Sequence, residues 1–424
     1  MNEEKNRNVK QKFWSASVVA MLSLSMLIAV MAPAAADPGW LSGWSYRKDV
    51  TISSSSVLTD YQVNVTVDTA SLISAGKMNA SGDDIRFTGS DGTTLINYWI
   101  ESGLNTDTTK IWVNVPSVST TGTTIYMYYG NPTAASDSNY DNTFTKDYGE
   151  TGLAGLWHMD TGIGTTAADS SGNGNSGTIY EATWVGSDGG QWDGQNVQFS
   201  NGDSLSFDGN DYVVVPGSAS LNVTDAITLE AWIHPIAYND YDRIIAKPWN
   251  NNEAPWNVYA LHFDDADPAH VVMSIAVGTT YYGIPADVTI PLNKWTHVAG
   301  TYDGGNVTVY VNGVECGSNP NPSGNIATNA MDLYIGYNEL CSSSQSFNGT
   351  IDEARIYNRA LNLDEIKCHY ERRKYASSEP EATIGSEEEE PSQQPIPEFS
   401  SIAIPVASIL GLLFLFNYRK QRRN

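Results

Sequence analysis

Residues 347–365 read Phe-Asn-Gly-Thr-Ile-Asp-Glu-Ala-Arg-Ile-Tyr-Asn-Arg-Ala-Leu-Asn-Leu-Asp-Glu. Thr350 to Tyr357 predicts a strand, because β-branched and aromatic side chains suit a pleated surface. Asn362 then starts a helix. Its side chain caps the first turn and Glu365, three residues on, completes a capping box. A short amphipathic helix to about Arg373 would close the domain. Upstream, short β-branched runs repeat at Tyr212–Val215, Ile227–Ile233, Val271–Val277, His297–Tyr302, Val307–Val311 and Leu333–Ile335. Gly, Asn and Asp turns separate them. So many short strands in residues 150–375 predict two large packed antiparallel sheets.

More words stand in order through the same region. They are Asp169-Ser-Ser-Gly-Asn-Gly-Asn-Ser-Gly177, Ser206-Phe-Asp-Gly-Asn-Asp-Tyr-Val, Thr228-Leu-Glu-Ala-Trp-Ile, Trp295-Thr-His-Val-Ala-Gly-Thr-Tyr-Asp and Tyr310-Val-Asn-Gly313. With the 347–360 word, this set resembles the laminin-G-like, concanavalin A-like jelly-roll family over about 155–370. Gly172, Gly174 and Gly177 allow a tight loop among Asp and Asn, and calcium needs about 6–8 oxygen ligands of that kind. In that family the loop commonly lies beside the Asp of the Ile-Asp-Glu word. The resemblance therefore makes Asp169, Asn173, Asn175 and Asp352 the candidates for a structural calcium ion. A hydrogen-bonded loop without an ion is the alternative.

Aromatic residues in loop-like stretches are the ligand candidates: Trp249, Trp256, Tyr238, Tyr241, Tyr281 and Tyr282. Exposed rings stack on sugars or anchor protein partners. Rings folded back onto the sandwich are the alternative. Trp232 and Trp295 lie in strand words and read as core. Cys316 and Cys341 could form a disulfide, with Cys368 left over, although sequence does not fix the pairing. No Gly-x-Ser-x-Gly, His-Glu-x-x-His, Cys-x-x-Cys or phosphate loop occurs. Related jelly-roll glucanases carry Glu-x-Asp-x-x-Glu on one strand. Here Trp232 stands where the word after Glu230 needs an acid, so a glycoside hydrolase or lyase is the minor reading.

Residues 40–145 alternate at period two, as in Tyr61, Val63, Val65 and Val67, and predict a smaller antiparallel sandwich. Trp44-Ser-Tyr-Arg-Lys, Asp84-Ile-Arg-Phe, Tyr98-Trp-Ile-Glu, Ile111-Trp-Val and Tyr126-Met-Tyr-Tyr-Gly-Asn-Pro132 resemble the domain of unknown function 2341 over 43–135. Trp99 and Trp112 read as core. Asp83 and Asp84 read as a solvated turn, with cation binding as the alternative, and Asp264, Asp265 and Asp267 read likewise. The fold class is all-β, with two antiparallel sandwiches.

Residues 1–36 read as a signal peptide: Lys10 and Lys12, an apolar run, then Ala34-Ala35-Ala36. Residues 376–399 read as an acidic, Pro-rich linker, too poor in apolar residues to fold. Residues 400–424 hold an apolar run, Ile402 to Phe416, and a basic end, a membrane or sorting tail facing its positive charge inward. Pro397-Glu398-Phe399 with that tail resembles an archaeal sorting signal of the PEF-CTERM type. The resemblance implies an archaeosortase as processing partner and attachment to the cell envelope. Asn64, Asn79, Asn222, Asn306 and Asn348 are glycosylation sequons that fit this compartment. The chain has 48 acidic and 23 basic residues, a net charge of −25. Such a body repels phosphate backbones and excludes nucleic acid as a partner. The reading is a non-catalytic surface protein binding an extracellular glycan or surface protein, with a structural envelope protein as a further alternative.

Overall fold

The computed structural model describes residues 39–391 apart from 150, 187–190, 193–197, 200–202, 240, 250–253, 265, 268 and 338–345. The expected signal peptide, sorting motif and apolar tail lie outside the described residues.

The first module packs two antiparallel sheets. One has the order β26-β1-β7-β3-β4: Glu381–Glu389, Tyr46–Ser53, Thr123–Tyr129, Arg86–Thr88 and Leu95–Ile96. The other is β2-β6-β5: Leu58–Val67, Thr109–Val118 and Tyr98–Ser102. The period-two residues do what their spacing dictates. Tyr61, Val63, Val65 and Val67 bury against Val50, Ile52, Phe87, Ile111, Val113, Ile125 and Met127. Two short helices, α1 (Thr69–Ser74) and α2 (Tyr140–Thr143), flank the sheets. Asp84 is not a solvated turn residue. It is buried, and its carboxylate accepts the N–H groups of Asn79 and Gly130 at 3.0 and 2.8 Å.

The acidic linker expected over 376–399 is corrected. Its first part returns to the first module as β26, antiparallel to β1, with Tyr46 opposite Glu389 and Ser53 opposite Glu381. Composition argued against folding because the segment has too few apolar residues for a core of its own. It needs only two: Ala382 and Ile384 pack on the core already formed by β1 and its neighbours. Its charge is met locally. Arg47 pairs with Glu388 at 2.7 Å, Lys77 pairs with Glu387, and the Tyr129 hydroxyl donates to Glu387 at 2.7 Å. An edge strand supplies the ladder partners that an isolated linker lacks.

The second module is a larger sandwich. Its first sheet runs β20 (Thr280–Pro285), β19 (Val271–Val277), β18 (Asn257–Phe263), β17 (Arg243–Pro248), β24 (Leu333–Ile335), β15 (Tyr212–Val215), β10 (Gly177–Tyr180) and β9 (Thr166–Ala167). The second runs β11 (Thr183–Val185), β14 (Ser204–Asp208), β25 (Asn348–Tyr357), β16 (Ile227–Pro235), β21 (Thr296–Tyr302), β22 (Val307–Val311) and β23 (Val314–Asn319), with β8 (Leu153–Trp157) also on β25. A separate ribbon pairs β12 (Gln191–Trp192) with β13 (Gln198–Phe199). Between the sheets lies a core that includes Phe207, Leu229, Tyr259, Leu261, Met273, Val309 and Ile356.

Helix α3 spans Leu363–Tyr370, and its Asn362–Glu365 capping box is present as expected. It covers the outer face of the second sheet. Trp232 and Trp295 are buried there rather than in the sandwich interior, clustered with Tyr140, Phe144 and Tyr370. Trp99 and Trp112 of the first module pack on the same cluster. The two modules are therefore joined by an aromatic layer.

Candidate functional site

Two groups of residues stand out, one accessible and aromatic, the other buried and charged. In the first sheet of the large sandwich, Ile179, Val213, Val215, Leu333 and Ile335 point into the core. Strand alternation puts Tyr180, Tyr212 and Tyr334 on the opposite, outer face. Tyr180 stands directly across from Tyr212 in the ladder. Their rings stack at 4.9 Å and 23°. Tyr212 in turn stacks on Tyr337 at 5.1 Å and 24°, while Tyr334 meets Tyr337 edge-on at 6.1 Å. Tyr334 is buried, Tyr212 and Tyr337 are half-buried, and Tyr180 is 45% exposed. Further along that face, Arg243 lies over Tyr241 at 5.6 Å, Tyr241 sits 6.3 Å from His262, and His262 Nε2 is 3.2 Å from Ser274 Oγ. The face offers stacked rings at one end and polar groups at the other.

The six aromatic residues expected as ligand contacts divide. Trp256 and Tyr281 are exposed, 45% and 40% respectively. Trp249, Tyr238 and Tyr282 fold back onto the sandwich core. Tyr238 also donates its hydroxyl to the Ile290 carbonyl. Tyr241 belongs to the polar end of the outer face. The tyrosine stack itself was missed. Its signal was present in Tyr212-Val-Val-Val and Leu333-Tyr-Ile, where alternation alone puts the rings outward.

The charged group lies between the outer face of the second sheet, helix α3 and the connector 140–149. Arg355 donates to Glu353 at 2.5 Å and lies 3.7 Å from Glu230. His369 Nδ1 is 2.9 Å and His297 Nε2 3.6 Å from Glu230. Tyr148 stacks on His369 at 4.1 Å, and Arg355 lies 4.6 Å over its ring. Beyond Glu353, His158 approaches at 3.0 Å and Lys146 at 3.3 Å. Lys146 also reaches Asp160 at 3.1 Å and Asp352 at 3.9 Å. Burial alone would push Glu230 upward, yet His369, His297 and Arg355 outweigh it and hold it below the usual carboxylate range. Burial likewise opposes the fall of Glu353 to about 2, which Arg355, His158 and Lys146 impose. Asp352 goes the other way, raised by burial and by the charge of Glu353. Such shifts often mark catalytic groups. Here each carboxylate is buried and faces internal cations.

His158, Asp160 and Glu353 bring ligand atoms within 4.8 Å of one another, close enough for a metal ion. The Lys146 ammonium already contacts both acids, so the protein supplies the cation. The four calcium candidates fall in two places. Asp169 Oδ1 accepts the N–H groups of Leu156 and Ser171, and Oδ2 accepts the Ser171 hydroxyl and the Asn175 N–H. Asn173 and Asn175 turn their amide NH₂ groups to the Ala154 carbonyl at 3.2 and 2.8 Å. Asp352 instead faces Lys146. Both Asp169 oxygens are thus taken by the loop's own donors, as in the alternative of a hydrogen-bonded loop without an ion. Cys316 is buried and its thiol donates to the Val314 carbonyl, while its expected partner Cys341 lies outside the described residues.

Residues 207–367 match the concanavalin A-like lectin/glucanases superfamily. The large sandwich is a concanavalin A-like domain. Residues 81–151 match the domain of unknown function 2341, and residues 396–420 match the PEF-CTERM archaeal protein sorting domain. The chain is thereby an extracellular protein anchored to the cell envelope. No curated protein matches the chain in sequence. Among solved structures, it is similar to domain 4 of AbnA, a GH43 extracellular arabinanase from Geobacillus stearothermophilus, in complex with arabinotriose. That pair shares 21% identity over 51% of this chain and 98% of the other, at a TM-score of 0.40. The binding domain of Paraclostridial mosquitocidal protein 1 is 18% identical, over 52% of each chain, at 0.37. A Trypanosoma rangeli sialidase in complex with 2,3-difluorosialic acid is 17% identical, over 52% of this chain and 33% of that one, at 0.36.

Proposed function

We propose that this envelope-anchored protein binds an extracellular glycan, without catalysis, on the outer face formed by β10, β15 and β24. The stack of Tyr180, Tyr212 and Tyr337 carries this reading. The rings stand in a row across the strands, Tyr212 and Tyr337 half-buried and Tyr180 the most exposed of the three. Sugars offer C–H groups for the rings and hydroxyls for hydrogen bonding. The non-catalytic part of the reading rests on the fate of the acids. A hydrolase needs two carboxylates about 5–10 Å apart across an accessible bond. Glu230 and Glu353 are instead buried and committed to Arg355 and the histidines.

The test is a glycan panel probed with the full chain and with Tyr180→Ala and Tyr212→Ala. A bound glycan should lose about tenfold affinity in each variant, the ~1.4 kcal/mol scale of one lost aromatic contact. Trp256→Ala should bind normally. Retained affinity in both tyrosine variants would move the site elsewhere. New reducing ends would make the protein an enzyme.

A further inference from the structure

Chain order places the concanavalin A-like domain next to the tail and the first module farthest from it. The fold reverses this. We infer that the first module, by the end that carries Trp40, Leu41 and Trp44, is the part of the protein that faces the lipid surface.

Strand β26 is the reason. It leaves helix α3 through residues 371–380, enters the first module at Glu381 opposite Ser53, and finishes at Glu389 opposite Tyr46. The chain therefore exits where β1 begins. The Glu390 N–H donates to the Ser45 carbonyl at 2.9 Å, so the exit is fastened to the 39–45 loop. That loop is itself pinned. Trp40 Nε1 donates to the Trp44 carbonyl and Trp44 Nε1 to the Asp84 carbonyl, both at 2.6 Å. Arg47 lies 4.5 Å over the Trp40 ring and donates to the Gly39 carbonyl. Trp40, Leu41 and Trp44 stay half-buried, with Ser42 and Gly43 exposed between them.

Chain length sets the standoff. Residues 392–401 separate Pro391 from the apolar run beginning at Ile402. Ten residues span at most about 33–36 Å. The exit end therefore lies within that distance of the lipid surface, whether the tail spans the bilayer or is cut at Pro397-Glu398-Phe399 and joined to a lipid. Exposed Glu389 and Glu390 at the exit disfavour insertion among anionic headgroups, so the end faces the surface without entering it. The large sandwich packs along the outer face of the β2-β6-β5 sheet, where Trp99 and Trp112 meet its aromatic cluster, and its last residues reach the end opposite the exit. Lys374 donates its N–H to the Gln62 side chain and its Nζ to the Thr59 carbonyl, near the start of β2. One length of β1, 8 residues and about 25 Å, separates the two ends.

The test uses the full chain in lipid vesicles containing a headgroup-linked energy acceptor. Single donor labels go on Ser42→Cys, on Thr121→Cys at the opposite end of the first module, and on Asn210→Cys in the large sandwich. A Cys341→Ser background is used, because Cys316 and Cys368 are buried. Transfer from Ser42 should exceed transfer from the other two at least about twofold, given the ~25 Å strand length between the module's ends. Inserting 20 Gly/Ser residues after Pro391 should lower the Ser42 signal while leaving β26 intact. Equal or stronger transfer from Thr121 or Asn210, no transfer at any position, or a Ser42 signal indifferent to the insertion would overturn the orientation. Glycan binding does not enter this readout, so its failure would leave the orientation standing.

Discussion

Replacing Arg355 by Met should be among the most damaging single changes in the large sandwich. The guanidinium is buried, bonded to Glu353 at 2.5 Å and to the Lys146 carbonyl at 2.7 Å, and lies 3.7 Å from Glu230. Methionine matches much of its length but leaves two buried carboxylates short of a counter-charge. Breaking a buried pair by removing one partner costs about 3–5 kcal/mol. For a domain of this size, that lowers Tm by roughly 6–20 °C. Chemical denaturation with tryptophan fluorescence is the assay, because Trp232 lies in the adjoining aromatic cluster. Arg355→Met combined with Glu353→Gln removes one orphaned charge and should recover about 1–2 kcal/mol, a coupling expected between direct partners. A single variant within about 1 kcal/mol of the parent would refute the reasoning, since Glu353 and Glu230 would then be neutral or solvated. So would a double variant worse than the sum of the singles.

Acid should destabilise the same region. Glu230 and Glu353 are held below their ordinary value of 4.5, Glu353 at about 2. Their contribution is complete above about pH 4.5 and drains as pH falls toward 2, where the unfolded state binds more protons. His297, pushed below 6.5 by burial, adds the same sign from about pH 6.5 downward. Asp352 has the opposite sign: its raised value favours the fold below pH 3.8 and that contribution is lost as pH rises. Asp352→Asn should accordingly leave stability at pH 7 unchanged or higher in a thermal melt, and a large loss would contradict the assignment. A chain ending at Pro380 should lose about 2–4 kcal/mol in the first module and associate through the bared edge of β1, seen by denaturation and light scattering; an unchanged, monomeric protein would argue against β26. Chelator should leave the melt unchanged, because Asp169 is saturated by loop donors; a fall of several degrees would assign calcium to the loop.

Alternation made most of the fold legible. β2, β6 and β7 fall where period-two alternation puts them, β15, β19, β22 and β24 where short β-branched runs put them, and the Asn362–Glu365 box marks the start of α3. What was not legible depends on partners distant in sequence. Glu381–Glu389 looks unfoldable alone, and becomes a strand because β1 offers an open edge with Arg47 on it and Lys77 nearby. Trp99, Trp112, Trp232 and Trp295 all sit in strand words and all read as core. Their strands have two faces, and the faces they occupy meet between modules. A sequence shows that a side chain is destined for burial long before it shows against what.

The candidate sites divide along the same line. Tyr180 and Tyr212 are 32 residues apart, and only the pairing of β10 with β15 makes them one surface. Loop composition pointed instead to Trp249 and Tyr238, which the sandwich reclaims. The charged cluster carries the converse lesson. Glu230, His297, Glu353 and His369 have the residue types, proximity and displaced protonation of a catalytic centre. A catalytic acid must keep a lone pair or proton for substrate. Glu230 spends its charge on His369, His297 and Arg355, and Glu353 on Arg355, His158 and Lys146. Displaced protonation follows from burial and neighbours whatever their purpose, so accessibility must decide its meaning. By that criterion the accessible tyrosine face is the one proposed for a ligand, and the ions fasten helix α3 and the connector 140–149 to the second sheet.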